Sequence, residues 1–300
     1  MNCKISVVIC TYNRADLIKG AVETLSEQEL DHKDYEIIVV DDGSTDNTQD
    51  TVCSIQTNAN VRYFKRPHTS RSAARNFGIR QAGGKYILFV DDDILAPPNL
   101  LTQHIKYLEE GKKVVVRGPV VNTPYYDLSL NKKSGIEDFS MAFFCTCNAS
   151  VERNVLIELG GFDESFVEYG WEDTELGLRL RNLGYKVKFN IEAVVYHYKP
   201  KSTDDLEEYV QKAKELGRTA VTFYAKHPNL RVSLATGINA VHMFWHAVTS
   251  NYLVKNMAEK ILRNDKIINN KNLSYFLKGR IFNYYYYRSI RESLRGGTRG

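Results

Sequence analysis

The sequence predicts an α/β protein with a mostly parallel central β-sheet flanked by helices and a helical C-terminal extension. Three observations predict this architecture. Short β-branched runs alternate with amphipathic segments in the first third, polar clusters follow three of these runs, and helical patterns dominate from residue 201 onward. Such alternation is typical of parallel sheets covered on both faces, and ligands bind these sheets beyond the carboxyl ends of the strands.

The elements of the first third follow from hydrophobic periodicity. Compact apolar runs predict four strands, at Ile5–Cys10, Glu36–Val40, Val61–Phe64 and Tyr86–Val90. Apolar residues at helical spacing, together with capping residues, glycines and prolines that mark helix ends, predict four helices. These run from the residue after Asn13 to Leu25, over Thr45–Gln56, over Ser72–Ala82 and from Pro97 to Glu110.

The rest of the chain is less regular up to residue 200. Apolar runs predict strands at Val114–Val121, Phe143–Ala149, Lys186–Asn190 and Ala193–Tyr198, and a helix over Glu172–Arg181. We therefore predict one domain over residues 1–200 and a helical region over residues 201–300.

Composition and charge are those of an ordinary globular protein. Hydrophobic residues make up 43% of the chain and charged residues 25%, and the net charge is +4. Such a mild charge does not suggest the basic face of a nucleic-acid binder. The five cysteines are an odd number without zinc-like spacing, which predicts reduced thiols.

Localisation is predicted from two further features. The N-terminus shows no leader pattern, and the apolar stretch Val232–Val248 is too short and too polar to span a bilayer. We expect a cytoplasmic protein, either soluble or peripheral on the cytoplasmic face of the membrane.

The acidic triplet Asp91-Asp92-Asp93 follows the fourth predicted strand. Adjacent carboxylates repel one another unless a cation neutralises them, and oxygen ligands suit Mg²⁺ or Mn²⁺, which keep coordination positions for substrate phosphates. The alternative is a solvated loop that caps the next helix. Further acidic pairs at Asp41-Asp42 and Glu172-Asp173 favour a site, although each has a capping alternative of its own.

Six motifs occur in an order that points to one family. They are Ser6-Val-Val-Ile-Cys-Thr-Tyr-Asn-Arg14, Glu36-Ile-Ile-Val-Val-Asp-Asp-Gly-Ser-Thr-Asp46, Ser72-Ala-Ala-Arg-Asn-Phe-Gly-Ile79, Phe89-Val-Asp-Asp-Asp93, Gly160-Gly-Phe-Asp-Glu164 and Gly170-Trp-Glu-Asp-Thr-Glu-Leu-Gly-Leu-Arg179. The set covers residues 4–200 and resembles the inverting family 2 glycosyltransferases of GT-A fold. Its last motif resembles that of chondroitin-polymerase-type and β-1,4-galactosyltransferase-like enzymes. The resemblance implies a nucleotide-sugar-binding half over residues 1–117 and an acceptor half over 118–200.

The resemblance also implies a set of nucleotide-binding residues. They are Thr11, Tyr12, Asn13, Arg14, Asp42, Arg71, Arg75, Asp91 and Asp92. Tyr12 would stack on the base, Asp42 would accept a hydrogen bond from uracil N3–H, and Asp92 would contact the ribose. Arg71 or Arg75 would lie near the base or diphosphate, with Asp41 as an alternative structural partner of Arg75.

The resemblance further implies a divalent metal, Mn²⁺ or Mg²⁺, bound by Asp93 and His197 with support from Asp91. A structural histidine is the alternative for His197. Asp173 would be the catalytic base that takes the proton of the acceptor hydroxyl, and Glu172 would bind the acceptor or donor sugar. Trp171 would be either a sugar-stacking wall or a core aromatic residue.

Two other functions stay open. A sugar-nucleotide-forming nucleotidyltransferase would be expected to carry a Gly-rich basic loop where Thr11-Tyr-Asn-Arg14 stands, and an inactive nucleotide-sugar-binding module would be expected to lack Asp93 or Asp173. The expected partners are a nucleotide-sugar donor and a saccharide or lipid-linked saccharide acceptor, without nucleic acid. The aromatic and basic C-terminal residues, Tyr284–Tyr287 among them, would contact a membrane peripherally, pack on the core or form a homodimer.

Overall fold

The computed structural model describes residues 3–127, 134–135, 138–199, 206–263 and 270–296. The chain divides into two compact units, the first comprising Met1–Val167 with Glu172–Ser202 and the second Glu168–Trp171 with Thr203–Gly300. Residues 200–205, beside the predicted boundary, lie outside the described part of the chain.

A seven-stranded sheet lies at the centre of the first unit, in the order β3-β2-β1-β4-β8-β6-β9. Numbered along the chain, its strands are β1 (Ile5–Thr11), β2 (Tyr35–Asp41), β3 (Asn60–Lys65), β4 (Tyr86–Val90), β6 (Val114–Arg117), β8 (Asn148–Glu152) and β9 (Lys186–Phe189). Strand β8 pairs antiparallel with both β4 and β6, and the other pairs are parallel. The predicted mostly parallel sheet is therefore confirmed.

A second sheet of three short strands completes the first unit. Its order is β5-β10-β7, with β5 at Ile94–Leu95, β7 at Val120–Thr123 and β10 at Val195–Tyr198. Strand β10 runs antiparallel to β5, and the register places His197 opposite Ile94. This pairing fixes His197 beside the residue that follows the acidic triplet.

In the described part of the first unit, six helices flank the central sheet. They are α1 (Ala15–Ser26), α2 (Thr48–Cys53), α3 (Arg71–Gln81), α4 (Leu100–Glu110), α5 (Arg153–Glu158) and α6 (Glu172–Asn182). Because successive strand residues point to opposite faces, each face has its own core. Val7 and Leu88 pack with apolar residues of α1, α2 and α4, whereas Val8 and Phe89 pack with those of α3, α5 and α6.

The predicted strand Val114–Val121 is wrong as a single element. The chain leaves the large sheet after Arg117 and enters the small one at Val120. Between them, Gly118 lies so close to Ala193 that a Cβ would overlap its carbonyl oxygen, and Pro119 has no N–H to donate to a ladder.

Two other predicted elements have different bounds. The run Phe143–Ala149 is mostly loop, and the strand begins at Asn148, because the Phe144 ring is buried by edge-on packing against Phe89 rather than by strand pairing. The helix predicted over Thr45–Gln56 is shorter, Thr48–Cys53, because the Asp46 carboxylate accepts hydrogen bonds from the backbone and hydroxyl of Thr48.

The described residues of the second unit from Leu206 onward are mostly helical, which confirms the predicted helical C-terminal region. Its helices are α7 (Leu206–Lys226), α8 (Leu230–Thr236), α9 (Ala240–Thr249), α10 (Tyr252–Leu262) and α11 (Lys271–Gly296). Within the tyrosine run, Tyr286 and Tyr287 are buried in the core of this unit, and the Tyr286 hydroxyl donates to the Thr236 carbonyl at 2.7 Å. Packing on the core is thus the role of these two rings.

No described helix combines the length and the apolar character that crossing a bilayer requires.

Candidate functional site

Three predicted polar clusters meet at one edge of the large sheet. Strands β2 and β4 both pair in parallel with β1, so the ends of all three lie side by side. The Thr11 hydroxyl donates to Asp92 Oδ2 at 2.7 Å, and the backbone N–H of Asp42 donates to the Thr11 carbonyl at 2.9 Å. The structure therefore brings the first two clusters and the acidic triplet into direct contact.

An aromatic and acidic corner lies at the end of β1 and β2. The Tyr12 side chain is 44% exposed, and its ring stacks on the His68 imidazole with centroids 4.3 Å apart. Asp42 is buried, its Oδ2 lies 3.0 Å from His68 Nδ1, and it accepts a hydrogen bond from the backbone N–H of Thr69 at 3.2 Å. An exposed flat ring can stack on a nucleobase, and the fixed carboxylate beside it can accept a hydrogen bond from an N–H group of that base.

Asn13 and Arg14 shape the turn that follows β1. Asn13 has a φ of +52°, a conformation that asparagine tolerates better than most residues, and its side-chain oxygen accepts from the Thr45 N–H at 2.8 Å. Arg14 extends toward the acidic triplet, with Nη1 3.4 Å from Asp93 Oδ2. Its guanidinium therefore lies where a diphosphate could also be bound.

Asp91, Asp93 and His197 form a candidate metal-binding group. One ligand atom from each residue lies within 4.8 Å of the other two. His197 Nε2 is 2.9 Å from Asp93 Oδ1 without hydrogen-bond alignment, and this buried oxygen accepts no hydrogen bond from the described residues. The opposite ring nitrogen of His197 lies 3.0 Å from Asn122 Oδ1, a contact that orients the imidazole. Two carboxylates, one of them with an unsatisfied oxygen, and an imidazole fit a divalent cation such as Mn²⁺ or Mg²⁺.

Neighbouring carboxylates of the triplet differ in proton affinity. Burial raises the pKa of Asp92 to about 6, although the Thr11 hydrogen bond and the Arg14 charge oppose this shift. Burial also acts against ionisation of Asp93, but the imidazole of His197 and the guanidinium of Arg14 outweigh it and lower the pKa of Asp93. Asp93 is thus the better anionic ligand of the two.

A second acidic cluster lies at the start of α6. Arg75 Nη1 donates to Glu172 Oε1 at 2.8 Å, and both side chains are largely buried. Glu172 Oε2 accepts no hydrogen bond from the described part of the chain. Burial and the adjacent Glu172 carboxylate raise the pKa of Asp173 to about 7. A half-buried carboxylate with a pKa near neutrality is suited to accepting a proton.

The structural partner of Arg75 differs from the one predicted as an alternative. Its structural partner is Glu172 rather than Asp41, whose carboxylate accepts from the Ser44 N–H and the Tyr63 hydroxyl instead. Burial opposes the charge of Arg75, but Glu172 outweighs it and raises the pKa of the guanidinium. Arg71 is exposed at the first turn of α3, where Ser70 caps the helix.

Trp171 belongs to the helical unit. Its ring stacks on Phe223 with centroids 5.7 Å apart, and its indole N–H donates to the Leu216 carbonyl at 3.0 Å. This environment is that of the core aromatic residue, one of the two alternatives for Trp171; a sugar-stacking role stays a prediction.

Two residues that contact the site were not predicted from the sequence. His68 stacks on Tyr12 and contacts Asp42, and Asn122 orients His197. His68 stands in the Pro67–Ser70 segment just before α3, and its closeness in sequence to the predicted site residue Arg71 is the one signal that could have marked it. Asn122 carries no signal in the sequence, because its role depends on the pairing of β7 with β10.

Comparison with protein families gives two matches. Residues 6–161 match the model of glycosyl transferase family 2, and residues 130–200 match a model described as the N-terminal domain of galactosyltransferase. Together they span residues 6–200, which contain all six motifs.

Similar proteins include enzymes with named activities. A validoxylamine A glucosyltransferase from Streptomyces hygroscopicus subsp. jinggangensis is 33% identical over 60% of this chain and 52% of its own length. Chondroitin synthase from Escherichia coli is 27% identical over 65% of this chain and 35% of its own length. The chain thus spans about half of the first relative and about a third of the second.

A solved structure shows the fold. A mannosyltransferase from Pyrobaculum calidifontis, in complex with GDP-Man and Mn²⁺, superposes with a TM-score of 0.64 at 18% identity, over 97% of this chain and 87% of that one. The GT-A fold implied by the sequence motifs is confirmed.

Proposed function

This chain belongs to glycosyl transferase family 2, and we propose that it is a metal-dependent inverting glycosyltransferase. It transfers a sugar from a nucleoside-diphosphate sugar, most naturally a UDP-sugar, to a hydroxyl of a saccharide or lipid-linked saccharide acceptor. The observation that carries the proposal is the convergence of Asp91, Asp93 and His197 at the edge that also presents Tyr12 and Asp42.

The donor nucleotide is bound at the ends of β1, β2 and β4. The exposed ring of Tyr12 stacks on the base, and the fixed carboxylate of Asp42 accepts a hydrogen bond from N3–H of uracil. Asp92, held by Thr11, contacts the ribose. Arg14 and an exposed Arg71 supply positive charge for the diphosphate.

Asp93 and His197, supported by Asp91, hold the metal ion. A bound Mn²⁺ or Mg²⁺ supplies Lewis-acid stabilisation of the charge that develops on the departing diphosphate. The ionised state of Asp93 and its unsatisfied Oδ1 support this assignment.

Asp173 activates the acceptor. As an acceptor oxygen attacks the anomeric carbon, the bond from that carbon to the diphosphate breaks on the opposite face of the ring, and the hydroxyl proton passes to the Asp173 carboxylate. The pKa of Asp173 near 7 allows it to take this proton at neutral pH. Glu172, fixed by Arg75 through one oxygen, keeps Oε2 available for a sugar hydroxyl.

The first test is a donor screen with Mn²⁺ or Mg²⁺ that follows nucleoside-diphosphate release with and without candidate acceptors. Release of diphosphate from at least one donor is expected. Pyrophosphate release from a nucleoside triphosphate and a sugar phosphate would instead identify a nucleotidyltransferase. Nucleotide binding without turnover of any donor would identify an inactive binding module.

The second test concerns the base. Asp173→Asn keeps the size of the side chain but cannot accept the proton, so transfer should fall by about 10²–10⁴-fold while UDP binding stays intact. Asp50→Asn, an exposed change in the first turn of α2, is the matched control and should leave transfer unchanged. Unaltered turnover in Asp173→Asn would remove Asp173 as the base.

A further inference from the structure

Helix α9 directs apolar side chains to solvent. Val241, Phe244, Trp245 and Val248 are 76, 71, 59 and 55% exposed. Their spacing of three and four residues places them in one stripe of the helix, and the helix has no buried residue at all. On other sides of the helix, Met243 packs against the core of the helical unit and His246 stacks on Tyr287 at 4.2 Å. A surface helix of an isolated globular protein would place polar residues outward instead.

The same inversion occurs on α10, two residues further along the chain. Leu253 and Met257 are 70 and 64% exposed, whereas the charged Lys255 is buried and pairs with Glu259 at 2.9 Å. We call the six exposed side chains of Val241, Phe244, Trp245, Val248, Leu253 and Met257 the apolar face of α9 and α10. Such a concentration of exposed apolar residues marks an interaction surface.

Positive charge accompanies this face. From Pro228 to Ile290 the sequence contains nine Lys or Arg residues and two Asp or Glu residues, although the net charge of the whole chain is only +4. Arg231, Lys260 and Arg263 are exposed on or beside helices α8 and α10. The excess of cations is therefore a local property of the helical unit.

We propose that the apolar face of α9 and α10 docks on an anionic phospholipid bilayer, lying in its interface without crossing it. Apolar and aromatic side chains enter the headgroup and acyl boundary, while the excess cations of the helical unit attract anionic headgroups. A second copy of this chain is the less suitable occupant, because a two-fold contact would bring two equally cationic regions together.

The test uses the full chain with extruded vesicles of phosphatidylcholine, either pure or containing phosphatidylglycerol. Co-sedimentation should show binding that requires the anionic lipid and weakens as salt is raised. The double variant Phe244→Ser with Trp245→Ser should lower the partition coefficient by about tenfold or more, because it removes two of the largest exposed rings. The control variant Val167→Ser with Ile191→Ser removes two exposed apolar residues of the first unit and should bind as the unmodified chain does.

Tryptophan fluorescence gives a second readout. The chain has two tryptophans, so Trp171→Phe leaves Trp245 as the reporter. Its emission should shift to the blue on addition of anionic vesicles and be quenched by brominated acyl chains. Absence of both vesicle binding and the emission shift would overturn the proposal. A lipid-free dimer that the Phe244→Ser, Trp245→Ser variant dissociates would also overturn it, by assigning this face to a second copy of the chain.

Discussion

The rate of transfer should fall as pH drops below about 7, because Asp173 must be ionised to accept a proton. Its pKa is raised to about 7 by burial and by the Glu172 carboxylate, from an ordinary value near 4. At pH 8 about nine-tenths of the Asp173 carboxyl groups are ionised, and at pH 6 slightly less than about one-tenth, so kcat/KM should decrease roughly tenfold between them. The assay is nucleoside-diphosphate release at subsaturating acceptor, at constant ionic strength. A rate that stays level down to pH 5 would refute the assignment.

Neutralising Glu172 separates this explanation from other sources of pH dependence. In Glu172→Gln the like charge beside Asp173 is gone, while the Arg75 guanidinium, which favours the ionised form, remains. Loss of the Glu172 charge therefore lowers the pKa of Asp173, and the acid limb should move down by about one unit or more, whatever the height of the profile. Glu110→Gln, an exposed change at the end of α4, should not move it.

The stability of Glu172→Gln needs its own measurement. The variant leaves the Arg75 charge buried without a counter-charge, which costs about 3–5 kcal/mol when a buried pair is broken. The pH profile is therefore recorded well below the unfolding midpoint of the variant. A folded variant whose limb stays at the original pH would show that Glu172 does not control the titrating group.

Three further outcomes are expected. The double variant Asp93→Asn with His197→Ala should weaken Mn²⁺ binding in the presence of UDP by at least about tenfold, measured by calorimetry. The control His32→Ala, at an exposed histidine, should leave this affinity unchanged. Equal Mn²⁺ affinity in the double variant and the control would place the metal elsewhere. Tyr12→Ala should raise the Kd for UDP by about 5- to 150-fold, since a stacked base is worth about 1–3 kcal/mol, and Tyr12→Phe should restore binding. Gly118→Ala should lower the unfolding free energy by about 3 kcal/mol or more, because the new Cβ meets the Ala193 carbonyl. Gly279→Ala in α11, where nothing lies within 4 Å of the new Cβ, should raise the unfolding free energy by up to about 1 kcal/mol. Similar thermal midpoints for the two variants would contradict the close approach of Gly118 to Ala193.

The first third of the fold was accessible from sequence because its signals are local. Each of the first four strands is a compact apolar run, and parallel pairing then places Thr11, Asp42 and Asp91 at one edge. Convergence of the first two clusters with the triplet could therefore be predicted before any contact was known.

The middle of the chain depends on non-local packing, so sequence patterns failed there. Val114–Val121 is uniformly apolar apart from Arg117, Gly118 and Pro119, and the switch of sheets at Gly118 arises from Ala193, 75 positions away. The Phe143–Phe144 pair has the composition of a strand but packs its rings from a loop. Likewise, the stacking of His68 on Tyr12 joins residues from separate strand ends, which no short-range pattern encodes.

The pairing of His197 opposite Ile94 has a consequence for how the site arises during synthesis. Tyr12, Asp42 and Asp92 have all left the peptidyl-transferase centre once residue 93 is added, whereas His197, the third member of the candidate metal-binding group, comes about a hundred residues later. At a translation rate of roughly 5–20 residues per second, that interval is about 5–20 s. The residues proposed to contact the nucleotide are thus synthesised well before His197, and a product truncated before residue 197 would lack this member of the candidate metal-binding group.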